Sequence, residues 1–580
     1  MRDQPRRWIF APDHPARVAE ISRACGIPEV LARLLVNRGL SAAEVCNFLT
    51  PSIEGLHDPY RLHGMSEAVP RIRRAIAAGE KIAVFGDFDV DGSLSTALLM
   101  LLFRLLDADA VYHIPRRLQE GYGLNHEAIL RMKQQGVSLL ITVDNGITAV
   151  AEAHQARSHG MDVIITDHHE PGEHLPEAVA VLNPKLDCCT YPEANLAGVG
   201  VAFKLAWALA QSYSGERAFG GDFHCFLETA IGLAGLATIT DVVPLIGENR
   251  VFAAYGLEAL PRSANPGVRA LLDICNLTNM PLDATHIAYR LGPRLNAGGR
   301  LGNEDLGVRL MLAQSYAEAL DLAQEMETEN KNRQTIEREI TARARQKVLD
   351  EIDLDHTSVI VLADDDFHPG VVGIVASRLA EEFWRPAIVI TFRGPTGRGS
   401  ARSIPGFSIY DALSRCDDML LSFGGHRFAA GLEIHRDDLP RLRERLNEVA
   451  GQQISPVELS PQLSLDAELT PSQLAPKLVR DLAKLAPHGE GNPLPLFATP
   501  PVELVGRPRV VGRNYQHLCF AVRDPQKPDG PAVHAIAYNR AEDFGMLTSN
   551  GNRFRLAYSP RLNNRCPSYV ELVVRDIHTA

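Results

Sequence analysis

The sequence predicts an α/β protein in which a parallel-sheet domain and a second α/β unit are joined by a long helix, with a small β-barrel or sandwich at the end. From about residue 80, apolar runs such as "IAVFG", "SLLITV" and "DVIIT" alternate with helical patterns, which is typical of a buried parallel sheet. A polar, charged helical pattern follows at 315–352, and short alternating runs such as "HLCFAV" and "VELVV" fill the last segment.

The 580 residues are too many for one core, and composition and periodicity divide them into five segments. We predict a helical N-terminal region, a parallel-sheet domain, a connector helix, a second α/β domain and a terminal β unit, at 1–60, 61–314, 315–352, 353–455 and 456–580. The apolar positions of "GIPEVLARLLVNRG" recur at helical spacing in the first segment. The mixed charge of the connector predicts a mostly solvated helix.

The net charge of −12 argues against a nucleic-acid partner when it is taken alone. Its distribution changes that conclusion, because residues 456–580 hold 14 Lys and Arg against 12 Asp and Glu and carry +2, which leaves −14 for the remainder. An acidic cluster that binds divalent cations also hides part of its charge from the formal count. Charge therefore leaves the partner open.

The apolar and cysteine patterns indicate a cytoplasmic protein without a membrane segment. The uncharged run "TAIGLAGLATIT" is shorter than the about 20 residues that span a bilayer. The first residues lack the apolar core of a signal peptide. The nine cysteines include no C-x-x-C pair, which argues for a reducing compartment and against a structural zinc site.

The stretch "GDFDVDG" places Asp87, Asp89 and Asp91 at alternate positions, so that a cation is needed among them. D-x-D-x-D-G also opens an EF-hand calcium loop. However, the twelfth position of such a loop is a bidentate Glu, whereas the residue here is Leu98. In addition, "KIAVFG" before the loop predicts a strand and not a helix, which excludes an EF-hand.

Two further strands end on potential ligands. "LLITVDNGI" ends on Asp144, and "DVIITDHHE" ends on Asp167, His168 and His169. Because ligand sites in open α/β sheets form at the carboxyl ends of strands, we expect all three strand ends at one edge. Carboxylates with one or two imidazoles suit Mg²⁺ or Mn²⁺, and a bridging carboxylate creates a two-metal hydrolytic site. A single Asp after a strand is more often a helix cap.

At this point the motifs match a known family. "GDFDVDG", "VDNGI", "TDHH" and "LATITDVVPLIGENR" resemble the four motifs of the DHH phosphoesterases. The stretches "IPRRLQEGYGL", "GPRLNAGGRLG", "GRGSARSIPGF", "FGGHRFAAG" and "LAPHGEGNPLPLF" extend the resemblance to the RecJ family of bacterial exonucleases. The resemblance implies a DHH parallel-sheet domain and a DHHA1 α/β domain joined by the long helix, plus a C-terminal OB-type β-barrel.

The resemblance also implies a centre for two Mn²⁺ or Mg²⁺ ions. Its implied ligands are Asp87, Asp89, Asp91, Asp144, His168 and Asp241. Asp144 would bridge the two ions, His169 would face the scissile phosphate, and Asp167 would orient a histidine. Asp241 lies in a Thr/Ile run that periodicity alone assigns to the core, so that only the resemblance identifies it.

The resemblance further assigns contacts to DNA. Ser400 and Arg402, with Arg117, would hold a 5′-terminal phosphate. His426 would approach the cleaved phosphodiester, and Arg294 and Arg300 would steady the nucleotide backbone. Each of these arginines has a surface ion pair as its simpler interpretation. In the last segment Tyr515, His517 and Phe520 either stack on bases or belong to the core.

The implied function is a single-stranded-DNA-specific 5′→3′ exonuclease that releases 5′-mononucleotides by a two-metal mechanism in DNA repair and recombination. The resemblance implies a single-strand-binding protein and a helicase as partners, and a monomer is expected. One alternative is a DHH phosphodiesterase that acts on short oligonucleotides or cyclic dinucleotides, against which the terminal barrel argues. A second is a replication-factor-type scaffold without metals, although such chains have lost acidic residues that are present here.

Overall fold

The computed structural model describes residues 6–213, 221–455, 459–549, 553–563 and 569–579. The chain forms two compact units, of which one contains Met1–Ser52 and Ser460–Ala580 and the other contains Ile53–Leu459. The first unit thus joins the two ends of the chain. Each unit has a hydrophobic core of its own.

The N-terminal segment contains a strand as well as the expected helices. Its elements are β1 (Arg7–Phe10), α1 (Pro15–Cys25), α2 (Glu29–Asn37) and α3 (Ala42–Leu49). β1 pairs in parallel with Gln462–Leu465, and the Asn37 side chain donates to the backbone oxygen of Asp466. The helical prediction was wrong for β1, because the partner of this strand lies far along the chain and leaves no local signal.

The first part of Ile53–Leu459 is built on a five-stranded sheet. Its strands are β2 (Lys81–Phe85), β3 (Ala110–His113), β4 (Val137–Val143), β5 (Asp162–Thr166) and β6 (Ala180–Leu182). They lie in the order β3-β2-β4-β5-β6, and every pair is parallel. The predicted parallel sheet is therefore confirmed, and the strands β2, β4 and β5 are neighbours.

Helices cover this sheet and extend the core beyond it. They are α4 (Met65–Ala78), α5 (Val90–Leu105), α6 (His126–Gln134), α7 (Val150–Ser158), α8 (Gly198–Ser212), α9 (Gly221–Thr240), α10 (Gly247–Ala259), α11 (Pro266–Ile274), α12 (Ala284–His286), α13 (Gly292–Leu301) and α14 (Leu306–Leu312). By length and composition α9 passes the test for a membrane span, but 56% of Phe223–Thr240 is buried inside the protein. It contacts α5, α8 and α10, as the core helix of a globular fold does.

The connector is the 36-residue helix α15 (Tyr316–Glu351). Ten of its residues are buried, and they follow each other at intervals of one, three or four residues from Ala319 to Val348. The prediction of a mostly solvated helix holds for the other 26 residues, while the buried stripe packs against α11 and α13. Most of the charges occupy the remaining sides, and the two buried charged residues, Arg333 and Glu337, pair with each other at 2.6 Å.

A mixed sheet forms the second α/β domain. Its strands are β7 (Ile360–Asp364), β8 (Ala387–Arg393), β9 (Thr396–Arg402), β10 (Leu420–His426) and β11 (Ala429–His435), and its helices are α16 (Val372–Phe383), α17 (Ile409–Ser414) and α18 (Leu439–Gln453). The order is β10-β11-β9-β8-β7, with β7 and β8 parallel and the other pairs antiparallel.

The C-terminal segment forms a closed barrel, which decides between the two predicted β architectures. Its strands are β12 (Gln462–Leu465), β13 (Ala467–Glu468), β14 (Phe497–Ala498), β15 (Val502–Val511), β16 (His517–Arg523), β17 (Val533–Ala537), β18 (Arg553–Leu562) and β19 (Val570–Thr579), with helices α19 (Pro476–Ala483) and α20 (Phe544–Ser549). Pairing runs β15-β16-β17-β19-β18 and returns to β15. Five strands closed in this way have the architecture of an OB-type barrel.

Candidate metal and nucleotide site

Three neighbouring strands deliver acidic side chains to one edge of the parallel sheet. Asp87 and Asp89 follow β2, Asp144 follows β4, and Asp167 follows β5. Asp89 also caps α5, because its carboxylate accepts the N–H of Gly92 at 3.0 Å. The carboxyl ends of parallel strands thus create the edge at which ligands bind in such sheets.

Asp241 reaches the same place from the end of α9. Among the described residues, three groups have potential ligand atoms within 4.8 Å of one another: Asp87, Asp89 and Asp144; Asp91, His168 and Asp241; and Asp144, His168 and His169. The six residues Asp87, Asp89, Asp91, Asp144, His168 and Asp241 are called the ligand cluster below. Asp144 and His168 each belong to two groups, so that the arrangement has room for two adjacent cations.

Several atoms of the ligand cluster are buried without a hydrogen-bond partner among the described residues. They are Asp87 Oδ1, Asp144 Oδ1, His168 Nε2 and Asp241 Oδ2. Such atoms are costly in a folded protein unless something binds them. Three carboxylate oxygens and one imidazole nitrogen are the donors that Mg²⁺ and Mn²⁺ take, so the residues fit these cations.

His168 is held as a neutral ligand. Its Nδ1 lies 3.0 Å from the carbonyl oxygen of Leu196, to which it donates, and this leaves Nε2 as the acceptor. Nε2 lies 3.1 Å from Asp144 Oδ1 and 3.8 Å from Asp241 Oδ2. Burial lowers the pKa of His168 to about 3, so that the ring is uncharged at neutral pH.

Asp167 orients the neighbouring histidine. Its carboxylate accepts the backbone N–H groups of Ile147, His168 and His169, and Oδ1 also lies 2.8 Å from His169 Nδ1. Burial raises the pKa of Asp167, but these hydrogen bonds outweigh burial and hold it below its usual value. Burial lowers the pKa of His169, and the contact with Asp167 outweighs it and raises that pKa.

Asp91 caps a helix and is also placed to be a metal ligand. Its oxygens accept the N–H groups of Gly198 and Val199, both at 2.7 Å, so that it caps α8 and not its own helix. Each oxygen keeps a second lone pair, and Oδ2 lies 3.9 Å from His168 Nε2. Gly198 is required here, because a Cβ would lie 2.7 Å from Asp144 Oδ1.

The ligand cluster is electrostatically unfavourable without a cation. Burial, together with neighbouring carboxylates, raises the pKa values of Asp87, Asp91 and Asp144 well above the usual range. Burial and Asp89 raise the pKa of Asp241 to about 7. Backbone strain adds to this cost, since Asp144 and the β-branched Val242 have φ values of 62° and 64°.

A second group of residues beside the ligand cluster is positively charged. Arg117, Arg300, Arg402 and Ser400 are called the arginine pocket below. The Arg117 guanidinium stacks 4.8 Å from the centre of the Phe88 ring, between Asp87 and Asp89 in sequence, and the Arg300 Nη1 donates to Gly370 O at 3.1 Å. Arg117 therefore connects the two groups.

The start of α16 opens onto the arginine pocket. A Cβ on Gly373 would lie 3.2 Å from Arg402 Nη2 and 3.3 Å from Ser400 Oγ. Glycine thus leaves the backbone of the first helical turn close to both side chains. Because a helix N-terminus carries partial positive charge and free N–H groups, this arrangement suits an anion such as phosphate.

The arginines of the pocket repel one another. Burial, followed by the charge of Arg117, lowers the pKa of Arg300 to about 9. The same two causes lower the pKa of Arg402. Cations held close together and shielded from water are relieved when an anion binds between them.

The other predicted residues are placed differently from one another. His426, at the end of β10, stacks on His169 with ring centres 6.3 Å apart. Arg294 instead forms an ion pair with Glu327 of α15, at 2.6 Å, and donates to Arg290 O. The contacts of Arg294 thus agree with the simpler alternative given above, an arginine in an ion pair.

Three residues near the site were not singled out from the sequence. The Tyr122 hydroxyl donates to Asp144 O at 3.2 Å, and its ring meets the His169 ring edge to face at 5.8 Å. Phe88 lies under Arg117, and the Glu304 carboxylate accepts the Arg117 N–H at 3.1 Å. Tyr122 and Phe88 lie inside the quoted motifs "IPRRLQEGYGL" and "GDFDVDG", whereas Glu304 lies outside any quoted motif, and aromatic and acidic residues in loops are common.

The predicted barrel contacts belong to the other unit. Tyr515 is 75% exposed in the β15–β16 turn, and the His517 ring meets the Tyr538 ring edge to face at 5.2 Å. Phe520 is buried in the barrel core, which agrees with the second of the two interpretations that the sequence left open. Inward and outward positions alternate along β16, which places His517 and Phe520 differently.

Three family models match the chain: the DHH family N-terminal domain at 81–222, the DHHA1 domain at 356–452 and the RecJ OB domain at 465–576. These matches and the observed architecture confirm the predicted fold class.

The chain is also similar to proteins called single-stranded-DNA-specific exonuclease RecJ. It is 38% identical over 541 residues to the one of Bacillus subtilis, covering 92% of this chain and 66% of the relative. It is 36% identical to the one of Escherichia coli, covering 93% of each. A crystal structure of RecJ in complex with Mn²⁺ from Thermus thermophilus has a TM-score of 0.82 and 31% identity, covering 100% of this chain and 80% of that one. Since more than a third of the residues are identical over nearly the full length of a relative and all three domains match, the chain belongs to the RecJ family of single-stranded-DNA-specific exonucleases.

Proposed function

We propose that this chain is a 5′→3′ exonuclease that hydrolyses single-stranded DNA to 5′-mononucleotides with two Mn²⁺ or Mg²⁺ ions. The observation that carries the proposal is a buried ligand cluster with unpartnered donor atoms directly beside an arginine pocket. The first fits a pair of divalent cations, and the second fits a terminal phosphate. Together the two groups fit a strand whose 5′-terminal phosphate lies in the arginine pocket and whose first phosphodiester lies at the ligand cluster.

The chain's own residues contribute binding and proton positioning to this reaction. Bound cations would lower the pKa of a water molecule and neutralise charge on the phosphate. Asp144, shared by two ligand groups, is the residue that would bridge them. Asp167 holds Nδ1 of His169, so that the other ring nitrogen, Nε2, would hydrogen-bond to a bound phosphate. His426 stacks on the His169 ring and so limits the space beside that ring.

The arginine pocket supports the proposed polarity. Arg402 and Ser400 lie beside the start of α16, and Arg117 stacks on Phe88 in the Asp87–Asp89 loop. A 5′-terminal phosphate bound there would place the first phosphodiester over the ligand cluster. Arg300, which is buried among the same cations, would contact the backbone between the two positions.

The barrel is proposed to bind the remaining strand. Tyr515 lies in the turn after its first long strand, and His517 and Tyr538 form an exposed aromatic pair. Loops and strand faces at this position bind oligonucleotides in OB folds, where each stacked base contributes about 1–3 kcal/mol. Binding should weaken as the salt concentration rises, because phosphate contacts release counterions.

By family resemblance we place this activity in DNA repair and recombination in the cytoplasm, with a single-strand-binding protein and a helicase as partners and the enzyme as a monomer.

The proposed function is tested with one long single strand that carries a label at either end. A 5′ label should appear at once in mononucleotides, whereas a 3′ label should remain in long products until the end of the reaction. The 5′-labelled dinucleotide is the comparison substrate. Cleavage of the dinucleotide alone would overturn the proposal in favour of a short-oligonucleotide phosphodiesterase.

The electrostatics of the ligand cluster predict how Mn²⁺ changes stability with pH. Folding raises the pKa values of these carboxyl groups above their unfolded values of about 4, to about 7 for Asp241. Without a cation, the free energy of unfolding therefore falls as the pH rises from about 4 through the raised pKa values. A bound cation removes this loss. The increase in Tm on adding Mn²⁺ in place of EDTA should therefore be larger at pH 8 than at pH 5.5. An equal or smaller increase at pH 8 would contradict this account.

A further inference from the structure

Two loops outside the sheet hold the ligand cluster from the side of α8. The loop that precedes α8 supplies Leu196 O to His168 and the N–H groups of Gly198 and Val199 to Asp91. The loop after α9 carries Asp241. The distance between these loops therefore sets the position of Asp241 relative to His168 and Asp91.

The start of α10 connects the two loops through Asn249. Its fully buried Nδ2 donates to Asn195 O in the first loop and, at 3.1 Å, to Pro244 O in the second. The same amide thus contacts the residue just before Leu196 and the third residue after Asp241. A buried amide that spans two carbonyl groups fixes both, because a broken bond would leave a carbonyl unpaired.

Neighbouring contacts hold α10 itself in place. Glu248 lies in the first turn of α10, next to Asn249. Glu248 pairs with the buried Lys204 of α8 at 2.6 Å and accepts the Tyr191 hydroxyl at 2.5 Å. Asn249 is therefore carried on a helix that cannot shift relative to α8 without breaking a buried ion pair.

We propose that Asn249 is a positioning residue of the metal centre, which fixes the loop before α8 and the Asp241 loop relative to each other so that His168, Asp91 and Asp241 can hold a cation. Asn249 does not touch the cation or the substrate. The inference rests on the proposed divalent-cation centre and names a residue that acts on it from outside.

The test measures Mn²⁺ binding directly, by the electron paramagnetic resonance signal of free Mn²⁺ in titrations of the full chain. Asn249→Ala should weaken Mn²⁺ binding by about 10- to 100-fold, as the loss of an outer-sphere partner does. Asn249→Ser keeps one hydroxyl donor and should give an intermediate affinity. This milder variant also provides the measurement if Asn249→Ala does not fold.

The matched control is Asn265→Ala. Asn265 is also a buried amide that donates to a carbonyl, Met311 O at 2.9 Å, and it caps α11 away from the ligand cluster. Both alanine variants should lower Tm, but Asn265→Ala should bind Mn²⁺ as the natural protein does. Natural affinity in a folded Asn249 variant would overturn the inference. Failure of the natural protein to bind Mn²⁺ would overturn the metal centre itself.

Discussion

Asp144→Asn is expected to abolish Mn²⁺-dependent hydrolysis of single-stranded DNA while leaving strand binding largely intact. Asn has the shape of Asp but lacks the negative charge and the second carboxylate oxygen that a bridging ligand needs. Asp144 belongs to two of the three ligand groups, so its replacement weakens both cation positions. Losing several kcal/mol of transition-state stabilisation corresponds to a fall of roughly 10³-fold or more in kcat.

The measurement pairs a single-turnover assay with strand binding under the same conditions. The control is Asp321→Asn, which removes one carboxylate from an exposed position on α15 and should leave both quantities unchanged. The variant at 144 should also melt at a higher temperature in EDTA, because one of the mutually repelling buried carboxylates is gone. Full activity of Asp144→Asn would remove this residue from the mechanism.

Arg402→Gln is expected to remove most of the preference for strands with a 5′-phosphate. In the arginine pocket the guanidinium faces Ser400 and the start of α16. Hydrogen bonds to a charged group contribute about 1.5–3 kcal/mol, which corresponds to roughly 10- to 100-fold in kcat/KM. The loss should be confined to phosphorylated strands, because a 5′-hydroxyl strand lacks the phosphate that the pocket is proposed to bind.

The check is the ratio of kcat/KM for 5′-phosphorylated and 5′-hydroxyl strands of one sequence. Arg398→Gln is the matched control, since Arg398 lies on the same strand, β9, but is exposed and paired with Glu433 at 2.7 Å. Its ratio should equal that of the natural protein. An unchanged ratio in Arg402→Gln, or an equal fall in both variants, would place the 5′-phosphate elsewhere.

The sequence predicted the part of the site that follows from local pattern. Apolar runs that end on Asp87, Asp144 and Asp167 predicted adjacent strand ends, and β2, β4 and β5 are indeed neighbours. This works because a parallel sheet places all carboxyl ends of its strands at one edge, so that a ligand position is readable from where each run stops.

Other parts of the site left no local signal. Asp241 follows an apolar helix and was identified only from a family motif. The roles of Tyr122, Glu304 and Asn249 depend on which loop each side chain meets, and their partners lie 22, 187 and 54 residues away. Arg294 and Arg402 were both expected to contact DNA, but their surroundings differ. Arg294 forms an ion pair with Glu327, whereas Arg402 lies in the arginine pocket.

The sequence by itself determined the class of fold and the chemistry of the site, because periodicity records burial and residue type records which atoms bind a cation. Only the tertiary structure decided that the two ends of the chain share one unit and that one stripe of the connector helix is packed. It also decided which potential metal-ligand atoms of the described residues are buried without a hydrogen-bond partner. These properties depend on contacts between residues far apart in the chain. A local sequence pattern does not predict these properties, because the free energy of such a contact depends on both partners together and not on either segment alone.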